Sequence, residues 1–246
     1  MNSNITELLG NRDLGASALL ARFGEKLAGF SDTEIFDNLV MLKNSFPLMA
    51  VWPFAENYLK KHKPGPHTFK RFVKKINKDK TKVIARACNQ IPHHDTYLTL
   101  SRSSLVETFL KERNKHSKVN VVCSMSLPAN EGLTLNSSLQ AAGVKSFCVP
   151  DWDLELELAN VDVVLLGADW VTDRFIINKQ GSRQLVEAAT RMDVPVFILA
   201  ETFKYMDLPI IPEQDFFQDW SSGKICRYIK VFEVLPLTES INLIRV

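Results

Sequence analysis

The stretch Val161-Asp-Val-Val-Leu-Leu-Gly-Ala-Asp169 decides the fold of this chain. Its apolar run is typical of a strand that is buried on both faces of a parallel sheet. The run ends at Gly167 and Ala168, small residues that let the backbone turn and let a ligand approach closely. Asp169 follows, where a carboxylate can act as an acid, a base or a hydroxyl acceptor. The alternative role for Asp169 is to cap a helix or a turn.

Short apolar runs alternate with helical patterns from about Asp95 onward. This alternation predicts a doubly wound, mainly parallel α/β sheet with helices on both faces. The predicted strands lie at residues 97–100, 119–123, 146–149, 161–166 and 194–199, with 228–232 a candidate for the last one. Right-handed crossovers place the carboxyl ends of parallel strands on one edge. We therefore expect a ligand site on that edge, among residues 99–101, 123–126, 167–169 and 200–202.

In residues 1–92 the apolar residues recur at helical spacing, which predicts a helical domain ahead of an α/β domain at 93–246. Leu19, Phe23 and Leu27 recur at four-residue steps, as on one face of a helix. Pro64-Gly65-Pro66 predicts a turn. The helical pattern after this turn predicts a long linker helix between the two domains.

The linker helix carries an uneven charge. Between Lys60 and Arg86 the sequence holds eleven Lys and Arg residues and a single acidic residue, Asp79. One interpretation is a surface that binds nucleic acid or another anionic partner. The other is the solvated face of an amphipathic helix, which the lack of interleaved aromatic residues favours.

Composition narrows the class of protein. Apolar content of 46% and charged content of 24% are those of an ordinary globular chain, and a net charge of +2 makes no strong claim about partners. Cys88, Cys123, Cys148 and Cys226 have neither CxxC nor zinc-ligand spacing, so we expect reduced thiols, no metal site and a cytoplasmic protein. No apolar run approaches the ~20 residues that span a bilayer, and no signal-peptide pattern is present, so no membrane association is expected.

A second candidate element of the site is Asn178-Lys179-Gln-Gly181-Ser182. A Lys beside Gly and Ser at the start of a helix resembles an anion cradle, because backbone N–H groups and the helix dipole favour a phosphate there. The Walker A spacing and a GxGxxG after the first strand are both absent, so we expect no dinucleotide cofactor. Ser101, just past the first strand, is either a candidate catalytic hydroxyl or a cap of the helix that begins near Ser103.

Together, Val161–Asp169, Asn178–Ser182 and Val194-Pro-Val-Phe-Ile-Leu-Ala200 resemble one superfamily. It contains the alpha, beta and delta subunits of initiation factor 2B, ribose-1,5-bisphosphate isomerase and methylthioribose-1-phosphate isomerase. Weaker similarities extend the resemblance over nearly the whole chain, at Leu14-Gly15-Ala16, Phe46-Pro47-Leu48, Asp95–Ser101, Ser126-Leu127-Pro128 and Phe232–Pro236.

This resemblance implies an N-terminal helical domain, a Rossmann-like C-terminal domain and a homodimer formed through the latter. It also implies a small phosphorylated ligand. The candidate catalytic residues are Asp169 and Ser101. The candidate ligand-binding residues are Gly15, Thr99, Gly167, Ala168, Asn178, Lys179, Gly181 and Ser182.

Departures from the family pattern bear on the chemistry. The related isomerases have a Cys where this chain has Ser101, paired with the Asp that corresponds to Asp169, and a hydroxyl is far less acidic than a thiol. Apolar residues that cannot bind phosphate stand where the pattern has arginines, at Leu14, Phe46 and Leu127. Leu100 and Met125 replace the His and Glu of the pattern. Arg12 and Arg102 are nearby candidates to compensate, and Cys123 is either a relocated thiol or a core residue.

Three hypotheses follow. The first is an initiation-factor-2B-like protein that binds a small ligand or a partner and has lost isomerase activity. The second is an active aldose-ketose isomerase on a phosphorylated sugar, using Asp169. The third is a binder of RNA or another anionic partner through the Lys60–Arg86 helix. The residues alone leave open whether the protein is an enzyme.

Overall fold

A computed structural model describes residues 3–10, 15–207, 213–222 and 225–246. Leu14 and Arg12, named above for the phosphate-binding pattern, lie outside these residues, as does the side chain of Cys226. The helices of the described part are α1 (Ser3–Gly10), α2 (Ala16–Lys26), α3 (Asp32–Ser45), α4 (Val51–His62), α5 (Pro66–Gln90), α6 (Ser104–His116), α7 (Glu131–Ala141), α8 (Leu154–Glu157) and α9 (Ser182–Arg191).

The main sheet is parallel and has the strand order β11-β7-β4-β1-β2-β3. Its strands are β1 (Thr96–Thr99), β2 (Asn120–Ser124), β3 (Lys145–Val149), β4 (Val163–Leu166), β7 (Val196–Leu199) and β11 (Ile241–Ile244). The chain runs outward from β1 to β3, then returns to the other side of β1 and runs outward from β4 to β11. This order confirms the predicted doubly wound, Rossmann-like fold.

Side chains of β4 alternate between two cores, one on each face of the main sheet. Val163 and Leu165 pack with α5, α6 and α7 on one face. Val164 and Leu166 pack with α8 and α9 on the other. Successive side chains of a strand point to opposite faces of the sheet. Because helices cover both faces here, every position of β4 is buried and apolar.

A separate core holds the N-terminal helices together, and α5 joins it to the sheet. Phe69 and Phe72, in the first half of α5, are fully buried among α1 to α4. Val83 and Ala87, in the second half, are buried against the sheet. The predicted linker helix is thus packed along its length. Helices run to Gln90 and the first strand begins at Thr96, so the boundary between residues 92 and 93 stays a prediction.

The end of the chain differs from the sequence-based expectation. Residues 228–232 do not form the last strand of the main sheet. They are split between β9 (Ile225–Lys230), which pairs antiparallel with β8 (Phe217–Ser222), and β10 (Phe232–Pro236). β11 completes the main sheet instead. The sequence does not predict β11, because the apolar pattern of this strand is short and lies close to residue 246.

A small antiparallel sheet, β10-β6-β5, lies beside the main one. β5 (Trp170–Val171) and β6 (Phe175–Lys179) form a hairpin directly after Asp169. Asn178 and Lys179 therefore end a strand, and the helix that the sequence predicts at this segment begins at Ser182. Within the described ranges, no helix has both the length and the apolar character required to cross a membrane.

Candidate functional site

A cavity of about 200 Å³ opens at the carboxyl ends of β1 and β4. This is where the strand order reverses, the usual ligand position in open α/β sheets. The loop after β1 contributes Leu100 and Ser101, and the loop after β4 contributes residues 167–169. Residues 15–18 and Met49 close the cavity from the helical domain. The cavity is thus built by both parts of the chain.

Glu131, at the start of α7, connects two of the predicted site residues. Its Oε1 accepts a hydrogen bond from Lys179 Nζ at 2.6 Å and another from Ser101 Oγ at 3.1 Å. Both side chains of the ion pair are largely buried, with 8% exposure for Lys179 and 15% for Glu131. Glu131 Oε2 is buried and has no hydrogen-bond partner among the described residues. The predicted anion-binding Lys179 is therefore already neutralised by a carboxylate.

Ser101 is held in an unusual backbone conformation at the mouth of the cavity. Its φ is 67°, which is uncommon for a residue with a side chain. Its N–H donates to Ser126 Oγ at 2.8 Å, which ties the loop after β1 to the loop after β2. Ser101 does not cap α6, because Ser103 is the N-cap and accepts from the N–H of Val106. The cap interpretation of Ser101 is therefore wrong.

Asp169 connects the small antiparallel sheet to the N-terminal helical part of the chain. Its N–H donates to the carbonyl of Ile177 at 2.9 Å, and its own carbonyl accepts from the N–H of Ala50 at 3.4 Å. Burial raises the pKa of the Asp169 carboxyl to about 6, against the opposing effect of Lys204 and Lys179. A carboxyl that titrates near neutral pH can both accept and donate protons.

The other two cations that line the cavity are also paired. Lys204 Nζ lies 2.8 Å from Glu201 Oε2, and both side chains are buried. Arg102 Nε donates to Glu107 Oε2 at 3.2 Å. In the part of the chain that the structure describes, each Lys or Arg lining the cavity therefore has a carboxylate partner.

The Asn178–Ser182 turn is stabilised by its own side chains. Asn178 Nδ2 donates to Ser182 Oγ at 3.0 Å, and Ser182 Oγ donates to the carbonyl of Lys179 at 2.6 Å. Gly181 has a φ of 96°, a left-handed conformation that favours glycine. At the start of α9 the N–H of Arg183 donates to Glu233 Oε1 at 2.8 Å. A carboxylate of the chain thus occupies the helix N-terminus where the sequence predicts a phosphate.

Two glycines allow loops to approach the site closely. A Cβ on Gly167 would lie 2.5 Å from Cβ and Oγ of Ser103, so only glycine fits between β4 and α6. A Cβ on Gly132 would lie 1.7 Å from the carbonyl oxygen of Ser124. This contact presses the first turn of α7 against β2 and brings Glu131 to the cavity.

Of the described apolar residues that replace polar residues of the family pattern, only Leu100 lines the cavity. Phe46 is buried in the core of the helical domain, and Leu127 is 42% exposed. Leu100 lines the cavity and packs into the core below it. Met125 is partly buried and does not line the cavity.

Of the ligand-binding candidates, Gly15, Gly167, Ala168, Asn178 and Lys179 line the cavity with Ser101 and Asp169. Thr99, Gly181 and Ser182 do not line it, although Ser182 stabilises the turn beneath it.

Cys123 is fully buried in β2, and burial raises the pKa of its thiol to about 12, which fits the core interpretation. No cluster of three or more potential metal ligands occurs among the described residues.

Sequence reasoning missed two charged residues of the site. Glu131 follows β2 by seven residues and is brought back by the contact at Gly132. Lys204 follows the candidate segment 200–202 by only two residues. A longer window after each strand would have included Lys204, whereas only the fold places Glu131.

Comparison with known proteins gives a consistent result. The profile of the initiation factor 2 subunit family matches residues 54–226. A putative translation initiation factor eIF-2B subunit 2-like protein of Pyrococcus abyssi is 29% identical over 136 residues, covering 54% of this chain and 49% of that protein. Ribose 1,5-bisphosphate isomerase of Methanocaldococcus jannaschii is 28% identical over 127 residues, covering 51% and 41% respectively. The chain thus matches about half the length of these relatives.

The overall fold agrees with a solved structure. The translation initiation factor eIF-2B of Pyrococcus horikoshii superposes with a TM-score of 0.83 and covers 98% of this chain and 93% of that one. The sequences are 21% identical in this comparison, so the likeness concerns the fold alone.

Proposed function

Because this chain belongs to the initiation factor 2 subunit family, we propose that it is an initiation-factor-2B-like protein whose cavity binds a small ligand without isomerising it. A cytoplasmic location and a role in translation initiation are parts of this proposal that follow from family membership. The observation that supports this proposal is that the cations lining the cavity are already neutralised. Lys179, Lys204 and Arg102 are each paired with a carboxylate of the chain.

This pairing determines which ligand the cavity suits. A phosphate site needs cations that are free to make charge-assisted hydrogen bonds. Here a phosphate would have to displace Glu131, Glu201 or Glu107, and its charge would add to that of Asp169. A cavity with carboxylates, a lysine and the Ser101 hydroxyl instead suits a neutral ligand with several hydroxyl groups. Its volume of about 200 Å³ limits that ligand to a small molecule such as a free sugar or polyol.

The same geometry argues against catalysis. The Ser101 hydroxyl donates to Glu131, whose carboxylate is already engaged by Lys179. The Cys123 thiol is buried in the sheet and is not part of the cavity lining. Among the described residues, no thiol lines the cavity to share the proton transfers with Asp169.

One observation favours the second candidate, an active aldose-ketose isomerase. The pKa of Asp169, raised by burial to about 6, is that of a general base or acid near neutral pH. This hypothesis requires a phosphorylated sugar substrate, whereas the proposed function does not.

Ligand-dependent melting separates the two functions. We expect free pentoses and polyols to raise the melting temperature, with a stabilisation of about 2.7 kcal/mol at a hundredfold excess over Kd. Pentose 1-phosphate and 1,5-bisphosphate should give smaller shifts and no ketose product. Product formation from a phosphorylated pentose that is lost in Asp169→Asn would refute the non-catalytic proposal. The exposed Asp173→Asn variant is the matched control.

We also propose a homodimer formed through the C-terminal α/β domain. Trp152 and Leu156 are 73% and 71% exposed, and they lie four residues apart on one side of a helical segment. Phe147 is half-exposed on the edge strand β3, on the same sheet face as Val149, which packs with Leu154 of α8. Large exposed apolar residues, and an edge strand that has no further partner among the described strands, are typical of subunit contacts.

Sedimentation measures the dimer directly. We expect a particle of about twice 27.9 kDa for the native chain, because this apolar patch is covered in the dimer. Replacing Trp152 and Leu156 by serine should give a monomer with an unchanged fold. Val234→Ser, at a 40% exposed position on the other sheet, should leave the dimer intact. A double variant that stays dimeric would place the interface elsewhere.

A further inference from the structure

Helix α5 carries a stripe of cations on its exposed face. The basic stripe consists of Arg71, Lys74, Lys75, Lys78 and Lys82, and all five residues are exposed. They follow one another at one-, three- and four-residue steps, which keeps them on the side of the helix opposite its buried residues. With a rise of 1.5 Å per residue the stripe is about 16 Å long.

The single acidic residue of α5 does not neutralise this stripe. Both oxygens of the Asp79 carboxylate are engaged, accepting from the N–H of Thr202 at 2.8 Å and from its Oγ1 at 3.0 Å. None of the five stripe residues forms an ion pair within the described residues. Lys60, at the end of α4, is by contrast paired with Glu56. The stripe therefore presents five uncompensated positive charges.

The helix that carries the stripe is fixed in the protein. Phe72 and Ile76 are buried in the helical domain, and Val83 and Ala87 are buried against the sheet. Because this helix is packed on one side along its whole length, only its outer face is accessible to a partner. That face can lie along a row of phosphates. The wide, shallow minor groove of an A-form duplex presents such rows to a flat basic surface.

The residues between the cations further restrict the class of partner that the stripe can bind. Asn77 and Thr81 are small and polar, and no large apolar side chain of α5 is exposed. Single-stranded nucleic acid requires aromatic side chains on which bases stack. Amphipathic helices that bind membranes insert apolar residues, and protein interfaces are commonly centred on buried aromatic or apolar anchors. The exposed face of α5 offers charge alone, which suits a phosphodiester backbone.

We propose that the basic stripe of α5 binds the backbone of double-stranded RNA without reading its sequence. This activity goes beyond the proposed ligand binding, because the stripe contains no residue of the cavity. Phosphate contacts alone fix position and carry no sequence information, so affinity should depend on salt and not on base sequence.

Fluorescence anisotropy with a 20-base-pair RNA duplex tests the proposal on the full chain. The stripe variant is Lys74→Gln, Lys78→Gln and Lys82→Gln. The control variant is Lys118→Gln, Lys145→Gln and Lys230→Gln, which removes the same charge from three other exposed lysines. We expect the stripe variant to bind about tenfold more weakly or worse at low salt, and its log–log salt dependence to flatten by about three. The control should bind like the native chain.

Several results would overturn the proposal. These are an absence of RNA binding at low salt, or an equal loss of affinity in the two variants. Tighter binding of single-stranded RNA, of an acidic peptide or of anionic vesicles would assign the stripe to another class of partner. Equal affinity for a DNA duplex of the same sequence would refute the choice of RNA. Since glutamine keeps the helix propensity of lysine, matching melting temperatures will exclude unfolding as the cause.

Discussion

Replacing Lys179 by methionine is expected to lower the free energy of unfolding by about 3–5 kcal/mol. Lys179 Nζ lies 2.6 Å from Glu131 Oε1, and the two side chains are only 8% and 15% exposed. The substitution leaves the Glu131 carboxylate buried without its cation, and the Oε2 atom of that carboxylate already has no partner among the described residues. Uncompensated burial of charge is the largest cost among polar substitutions. Urea denaturation measures it.

A double-variant cycle isolates the ion pair. Glu131→Gln removes the negative charge and keeps an oxygen that can accept from Ser101. We expect the combined variant with Lys179→Met to be more stable than Lys179→Met alone, because no buried charge is then left unpaired. Lys145→Met, at an exposed position, should change the free energy of unfolding by less than about 0.5 kcal/mol. A strictly additive cycle would contradict the pairing.

Replacing Asp169 by asparagine is expected to stabilise the protein by up to about 3 kcal/mol at pH 7. Burial raises the pKa of Asp169 from 3.8 to about 6, so the folded protein holds this carboxylate against a desolvation cost. The folded state binds the proton more tightly than the unfolded state. The contribution of Asp169 to stability therefore improves as the pH falls through 6 and is fully relieved below 3.8. Asparagine removes the cost at every pH.

The pH profile provides the test. The stability difference between Asp169→Asn and the native chain should reach its full value at about pH 7 and above, and should vanish below pH 3.8. Because other groups titrate equally in both proteins, the difference isolates Asp169. The exposed Asp173→Asn variant should show no such dependence. A less stable Asp169→Asn protein at pH 7 would mean that hydrogen bonding rather than burial governs this carboxyl.

These two residues also show why the cavity is a candidate for function. A buried ion pair and a carboxyl with a raised pKa both lower stability relative to apolar residues of similar size. Under the proposed function, a ligand accounts for their presence at the reversal point of the strand order. The same proposal assigns hydroxyl groups and not a phosphate to that ligand, because the cations of the cavity are paired.

Most of the fold could be predicted from the sequence. The strands near 97–100, 119–123, 146–149, 161–166 and 194–199 are recognisable because burial on both faces requires continuous apolar runs. β11 was missed because Ile241–Ile244 is short and partly polar and gains its place only by pairing with β7. The β5–β6 hairpin was missed because its first strand has two residues, fewer than any periodicity can indicate.

Local sequence patterns are sufficient to predict the doubly wound sheet, the helical N-terminal part and the edge at which Gly167, Asp169 and Lys179 meet. Alternating apolar periods dictate strands and helices, and right-handed crossovers dictate one carboxyl edge. The pairing of charges at that edge depends instead on the three-dimensional fold. Glu131, Glu201 and Glu233 come from α7, from the loop after β7 and from β10 to neutralise Lys179, Lys204 and the start of α9. Electrostatic pairing depends on distances of a few ångströms between distant segments, and no local pattern encodes such distances.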